Sequence, residues 1–148
     1  MEQLLGQPLV SKTRIWDHPT EGFHCDIVGY ELAGPVDVTD RACARSLIAV
    51  ALQPAPPQLI VRELARLRML TKAKAEAGVD LEAMFSVLAE ELAVFPADIV
   101  CSVLRRLGRT SKFFPSLAEV YQACEDAVKP RRLLADTLNG FPRDDRSR

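Results

Sequence analysis

From about residue 37 onward, apolar residues repeat along the chain with the period of an α-helix. The clearest stripe is Leu81, Met84, Phe85, Leu88 and Leu92. Intervals of three and four residues place such side chains on one face of a helix. Similar stripes occur over 99–107 and 117–128. The pattern predicts a mainly α fold, a compact bundle of about five to six helices.

Capping and interrupting residues predict where the first helices begin and end. Thr39 or Asp40 can cap a first helix that runs to Gln53, where a cluster of prolines follows. A second helix is expected to continue to about residue 77 and to stop at Gly78, since glycine tolerates the left-handed conformation of a helix end. Asp80 is then expected to cap the third helix.

The later helices are marked in the same way. Pro96 suits the first turn of a fourth helix, and Gly108 is expected to close it. Ser116 and Glu119 have the spacing of a capping box, which predicts that a fifth helix starts there. Pro130 is expected to open a short last helix, because proline is favoured in a first turn.

The two ends of the chain differ from this helical region. Residues 1–36 are aperiodic, although 23–30 contain β-branched and aromatic residues typical of a strand. An irregular arm and a short hairpin both fit this segment. Residues 141–148 are polar enough to form a flexible tail. The expected organisation is an N-terminal extension over 1–36, a helical domain over 37–140 and a tail over 141–148.

Composition narrows the class of protein. The 148 residues fit one domain, and contents of 48% apolar and 26% charged residues are ordinary for a globular chain. A net charge of −1 argues against general coating of nucleic acid. No apolar run has the length of a membrane span, and the N-terminus lacks the features of a secretory signal. These observations predict a cytoplasmic protein that does not enter membranes.

The sequence contains no credible catalytic or metal-binding set. It has neither a glycine-rich phosphate loop nor a nucleophile elbow. Glu90 and Glu91 are adjacent, so on a helix they point about 100° apart and cannot act as a pair. His18, His24 and Cys25 lack a fourth ligand at a spacing that structural zinc prefers. We therefore expect no enzymatic activity, no metal and no cofactor.

The segment 109–120 is the best candidate for a functional site. Two adjacent aromatic residues follow a basic stretch and precede the capping box of the fifth helix. Two neighbouring side chains cannot both point the same way, so one is expected to pack inward and the other to plug the core or form an exposed patch. In the predicted partner-binding site the aromatics supply an apolar anchor and the cations steer an acidic or DNA-bearing partner. The site consists of Arg105, Arg109, Lys112, Phe113 and Phe114.

The same cations could contact nucleic acid instead. Arginine and lysine neutralise phosphates and so give a salt-dependent affinity for DNA. A structural alternative is that the basic residues near the end of the fourth helix complement its dipole. The candidate nucleic-acid contacts are Arg62, Arg66, Arg105, Arg106, Arg109 and Lys112.

Three local features carry a resemblance to a known family. They are Phe95-Pro96, the basic lead-in to Phe113-Phe114-Pro115-Ser116 with Glu119 following, and Tyr121-x-x-Cys124. On these features, residues 80–134 resemble phage and prophage replication proteins of the helicase-loader type, such as the lambda-type replication protein P and helicase loader/inhibitor-like helical domains. The resemblance implies a non-enzymatic adaptor that binds a replication protein, above all the replicative helicase, to load or inhibit it. The alternatives are a DNA-binding regulator that uses the basic turn and an inhibitor of a host process such as a defence system.

Overall fold

The computed structural model describes residues 9–18, 22–72 and 80–140, except for the side chains of 16–18 and 22–24. The elements in chain order are β1 (Leu9–His18), β2 (Gly22–Leu32), α1 (Val38–Ala51), α2 (Pro57–Leu70), α3 (Leu81–Leu92), α4 (Ala97–Thr110) and α5 (Leu117–Asn139). The predicted mainly α fold with an N-terminal hairpin is therefore confirmed. The tail predicted over 141–148 lies outside the described residues.

The two strands form an antiparallel hairpin. Leu9 pairs with Leu32 at its open end, and the register shifts between Lys12 and Thr13. The Lys12 ammonium lies 2.9 Å from a carboxylate oxygen of Glu31 on the neighbouring strand. Both side chains are exposed, so this ion pair contributes little to stability. The strand predicted over 23–30 is confirmed as part of β2.

Contacts divide the chain into two compact units. The first, the terminal unit, contains the chain up to Ala51 together with the chain from Lys129 onward. Its buried apolar residues are Ala44, Ile48, Leu133, Leu134 and Leu138.

Arginine side chains cap two helix ends within the terminal unit. Arg41 Nε donates to the Leu138 carbonyl at 2.9 Å, and Arg131 Nη1 donates to the Ala51 carbonyl at 3.0 Å. The last carbonyls of a helix have no partner within the helix, so these bonds satisfy groups that would otherwise need water.

The second, the central unit, runs from Leu52 to Val128 and holds the larger core. Its largest fully buried side chains are Phe95, Ile60, Leu64, Leu67, Leu92, Leu104 and Val100. The chain segments that lead into α2 and α4 also pair directly, because Ala55 N–H donates to the Phe95 carbonyl at 2.8 Å. This core is formed by the helical stripes that the sequence predicts.

The predicted start of the first helix and the predicted end of the second are wrong. The cap of α1 is neither Thr39 nor Asp40 but Asp37, whose carboxylate accepts from the Thr39 N–H at 2.7 Å. The second helix ends at Leu70, well before Gly78, which lies outside the described residues. The reason is that Thr71 is extended, with φ −118° and ψ 156°, and directs the next residue into pairing with another part of the chain.

Gly108 and Pro130 do not mark helix boundaries, although the sequence predicts that they do. Gly108 does not end α4, which continues to Thr110. A Cβ at Gly108 would lie only 3.1 Å from Leu70 Cδ1, so this glycine permits a close approach of α2 to α4. Pro130 does not open a separate helix but lies inside α5, where it removes a single N–H donor without ending the helix. No helix in the described ranges is both long and apolar enough to cross a membrane.

A candidate protein-binding surface beside Phe113

Residues 111–114, the first part of the loop between α4 and α5, are held at both ends by backbone hydrogen bonds. Ser111 N–H donates to the Leu107 carbonyl at 2.8 Å, which closes α4. Lys72, just after α2, then donates its N–H to the Lys112 carbonyl and accepts from the Phe114 N–H, each at 3.0 Å. These two bonds form a short parallel bridge opposite Phe113. The loop therefore has a fixed backbone at the position of its two aromatic residues.

The two phenylalanines have different environments: one packs inward, and the other takes the exposed position, which is one of the two alternatives that the sequence leaves open. Phe114 packs against the core of the central unit, and its ring centroid lies 6.1 Å from that of Phe85. Pro115 beside it is buried. Phe113 is 45% exposed, because successive residues of an extended segment point to opposite sides. The Lys112 ammonium lies 5.6 Å from the centroid of the Phe113 ring, within the range of a cation–π contact.

The start of α5 is fixed by the capping box that the sequence predicts. The Glu119 carboxylate accepts from the Ser116 N–H and from its hydroxyl, both at 2.7 Å. In return, the Ser116 hydroxyl accepts from the Glu119 N–H at 3.3 Å. Reciprocal bonds of this kind satisfy two orphan donors of the first turn. The loop is thus limited on one side by the end of α4 and on the other by a capped helix.

Arg105, a member of the predicted partner-binding site, already has a partner within the protein. Its Nη2 and Nε donate to the two carboxylate oxygens of Glu63, at 2.7 and 3.1 Å. The Glu63 side chain is only 5% exposed, whereas that of Arg105 is 48% exposed. These hydrogen bonds hold the pKa of Glu63 below its usual range, in spite of its burial. Arg105 therefore neutralises a buried carboxylate within the protein and is less available to an external partner than Arg109.

Arg109 lies one turn beyond Arg105 and is exposed. It lines a cleft between α2 and α4 together with Leu70, which is itself largely exposed at the end of α2. Leu70 is also two residues from Lys72, the residue that pairs with the loop. We define the Phe113 surface as Leu70, Arg109, Lys112 and Phe113. It combines two exposed apolar side chains with two cations.

The candidate nucleic-acid contacts fall into two groups. Arg66, Arg105 and Arg109 line the α2–α4 cleft with Glu63, and the charges of Arg66 and Arg62 also help to lower the pKa of Glu63. Arg106 lines a groove along α4 with Arg105 and Arg109, and it also lines a second groove with the acidic residues Glu119 and Asp126. Lys112 lies apart from both groups, in the loop beside Phe113.

Leu70 and Glu63 belong to this region but are not predicted from the sequence. The predicted extension of α2 to about residue 77 places Leu70 in the middle of a helix, where nothing distinguishes it. Glu63 does carry a signal, since it occupies the same helix face as the buried residues Ile60, Leu64 and Leu67. An acidic residue at such a position needs a cationic partner, although the sequence does not say which one.

The metal site that the sequence makes conceivable concerns His18, His24 and Cys25. Within the described part of the chain, no group of three or more histidine, cysteine, aspartate or glutamate residues is arranged to hold a metal ion. The side chains of His18 and His24 lie outside the described part of the chain.

Comparison with protein-family models, with curated proteins and with solved structures gave no match. The fold defines a mainly α protein with an N-terminal β-hairpin.

Proposed function

We propose that the protein is a non-enzymatic adaptor that binds another protein through the Phe113 surface. The observation that carries this proposal is the exposure of Phe113 in a loop whose backbone is fixed and whose neighbouring phenylalanine is packed inward. Aromatic residues that are presented rigidly dominate many interfaces, because they bury a large area at a small cost in conformational entropy. Burial of Phe113 and Leu70 by a partner would remove this apolar area from water.

The charges of the surface indicate what the partner should offer. Lys112 contacts the Phe113 ring and Arg109 lines a cleft with Leu70, and neither cation has an ion pair with another described residue. Such cations raise the rate of association with an acidic partner. When they form ion pairs with carboxylates of the partner, they also lower the rate of dissociation of the complex. The complementary surface is therefore an apolar pocket with carboxylates at its edge.

The replicative helicase is the partner that we propose, in a phage or prophage type of system. This identity rests on the resemblance of residues 80–134 to replication proteins of the helicase-loader type. One of the three features that carry the resemblance lies at the site: the Phe113-Phe114-Pro115-Ser116 run with Glu119 following, which forms the anchored loop and the capped helix start. Loading and inhibition of a helicase both require binding, so the binding step is the one to test first.

The test measures binding of the purified protein to a purified bacterial replicative helicase by biolayer interferometry. Phe113→Ala should weaken the affinity by about 30-fold, the effect of losing about 2 kcal/mol at an interface hot spot. Val87→Ala is the matched control, because Val87 is an apolar residue of the same unit, 57% exposed on α3. It should change the affinity by less than about twofold.

Two outcomes would contradict the proposal, each in a different way. If the unmodified protein does not bind the helicase, the partner is wrong. If Phe113→Ala binds as tightly as Val87→Ala, the partner is right but the surface is wrong. Thermal melting followed by circular dichroism should be recorded for both variants, so that loss of binding is compared between folded proteins only.

A further inference from the structure

The face formed by α2 and α4 carries a concentration of arginine, of which the Phe113 surface includes only Arg109. Arg62 and Arg66 lie one turn apart on α2, and Arg105 and Arg109 lie one turn apart on α4. We call these four residues the arginine strip. Arg66, Arg105 and Arg109 line one cleft together with the buried carboxylate of Glu63. The charge of the fourth residue, Arg62, helps to lower the pKa of that carboxylate. All four side chains reach solvent.

The strip has a net positive charge even after its carboxylates are counted. Glu63 is bound by Arg105, and Asp98 shares a groove along α4 with Arg105 and Arg109. Four guanidinium groups against two carboxylates leave an excess of two positive charges. The remaining members, Arg62, Arg66 and Arg109, have no ion pair with another described residue. Three guanidinium groups are thus available to an external anion.

The spacing of these groups indicates the kind of anion. Residues four apart on a helix are separated by about 6 Å along its axis, which is close to the distance between successive phosphates of an extended polynucleotide. Guanidinium groups bind phosphate through two parallel hydrogen bonds, which lysine cannot do. The cleft between the helices is small and already holds the Arg105–Glu63 pair, so it leaves little room for the side chain of a protein anchor. These features favour a repeated phosphate over an acidic protein segment.

We propose that the arginine strip binds the phosphate backbone of nucleic acid through Arg62, Arg66 and Arg109. Arg105 contributes indirectly, as a positioning residue, because it neutralises Glu63 and keeps that carboxylate from repelling the phosphates. The binding goes beyond the proposed adaptor function and needs no helicase. Single-stranded and double-stranded nucleic acid share this chemistry, and probes of each kind distinguish between them.

The experiment is fluorescence anisotropy of the full chain with a fluorescein-labelled single strand of oligodeoxythymidine of about 20 nucleotides, and separately with a DNA duplex of equal length. Three phosphate contacts predict a slope of about −2 for log affinity against log salt on the single strand. Affinity should therefore fall about 20-fold between about 50 and 200 mM salt. The triple variant Arg62→Gln, Arg66→Gln, Arg109→Gln should bind at least tenfold more weakly at the lower salt concentration, with a slope near zero.

The control is a second triple variant that removes the same charge elsewhere: Arg14→Gln, Arg68→Gln, Lys129→Gln. Arg68 is on α2 but about 200° around the helix from Arg66, hence on its opposite side. The control should keep the affinity within about twofold of the unmodified protein and should keep the salt dependence. Absence of binding at about 50 mM salt would overturn the proposal, as would an equal loss of affinity in the two triple variants. Tighter binding to one probe identifies which nucleic acid is preferred.

Discussion

Replacing each of the two adjacent phenylalanines by alanine should have clearly different effects on stability. Truncation of a buried phenylalanine costs about 3–5 kcal/mol. Phe114 is packed against the core but keeps some exposure, so we expect Phe114→Ala to cost about 2–3 kcal/mol. Phe113 is 45% exposed and its contact with Lys112 is a surface contact, so Phe113→Ala should cost about 1 kcal/mol.

Thermal melting followed by circular dichroism measures this difference. For a chain of this size, 1 kcal/mol shifts the melting temperature by about 2–4 °C. The expected losses are therefore roughly 5–10 °C for Phe114→Ala and roughly 2–4 °C for Phe113→Ala. If Phe113→Ala lowered the melting temperature as much as Phe114→Ala, Phe113 would be a core residue. The Phe113 surface would then not exist in solution.

A double-mutant cycle gives an independent test of the same assignment. Phe85→Leu and Phe114→Leu keep apolar side chains in place, and their coupling should be about 1 kcal/mol, as for two aromatic rings in contact. The matched cycle of Phe85→Leu with Phe113→Leu should be additive to within about 0.5 kcal/mol. Coupling of equal size in the two cycles would refute the assignment of Phe114 as the inward residue.

Two further predictions concern titratable groups. The hydrogen bonds from Arg105 hold the pKa of Glu63 below its usual range. The ionised Glu63 therefore stabilises the fold at a pH above its unfolded-state pKa, near 4.5, and this stabilisation is lost as the pH falls through the lower pKa of the folded state. Glu63→Gln should therefore remove part of the acid-induced loss of stability below about pH 4.5, and acid melts that match those of the unmodified protein would contradict this ion pair. Burial raises the pKa of Cys124 to about 11, so iodoacetamide at pH 8, about three units lower, should alkylate the exposed Cys25 and Cys43 first. Mass spectrometry of peptides checks the order, and early labelling of Cys124 in the folded protein would contradict its burial.

The features that were predicted correctly from the sequence are those that depend on residues close together in the chain. The stripe around Phe85 and Leu92 identifies a helix because its apolar face must be buried. The capping box of Ser116 and Glu119 is likewise a contact between residues three apart. Such interactions act within one or two turns, so their sequence pattern is sufficient to identify them.

The features that were missed depend on contacts between distant parts of the chain. The second helix stops at Leu70 because Lys72 pairs with the loop between α4 and α5, forty residues later in the sequence. Gly108 looks like a helix stop, yet its use is to admit the side chain of Leu70. The pairing of Glu63 with Arg105 spans 42 residues. No local pattern contains this information, and the outward position of Phe113 depends on the same Lys72 pairing.

Arg109 belongs to both the Phe113 surface and the arginine strip, and this overlap allows the two proposals to be separated. Phe113→Ala removes an apolar anchor without a change of charge, so it should reduce helicase binding and leave oligonucleotide binding unchanged. The double variant Arg62→Gln, Arg66→Gln should reduce oligonucleotide binding and leave helicase binding unchanged, because these residues are on α2 and outside the Phe113 surface. Only Arg109→Gln should weaken both. If both ligands bind, they must then compete for one guanidinium group, and an adaptor with this arrangement would exchange nucleic acid for its protein partner.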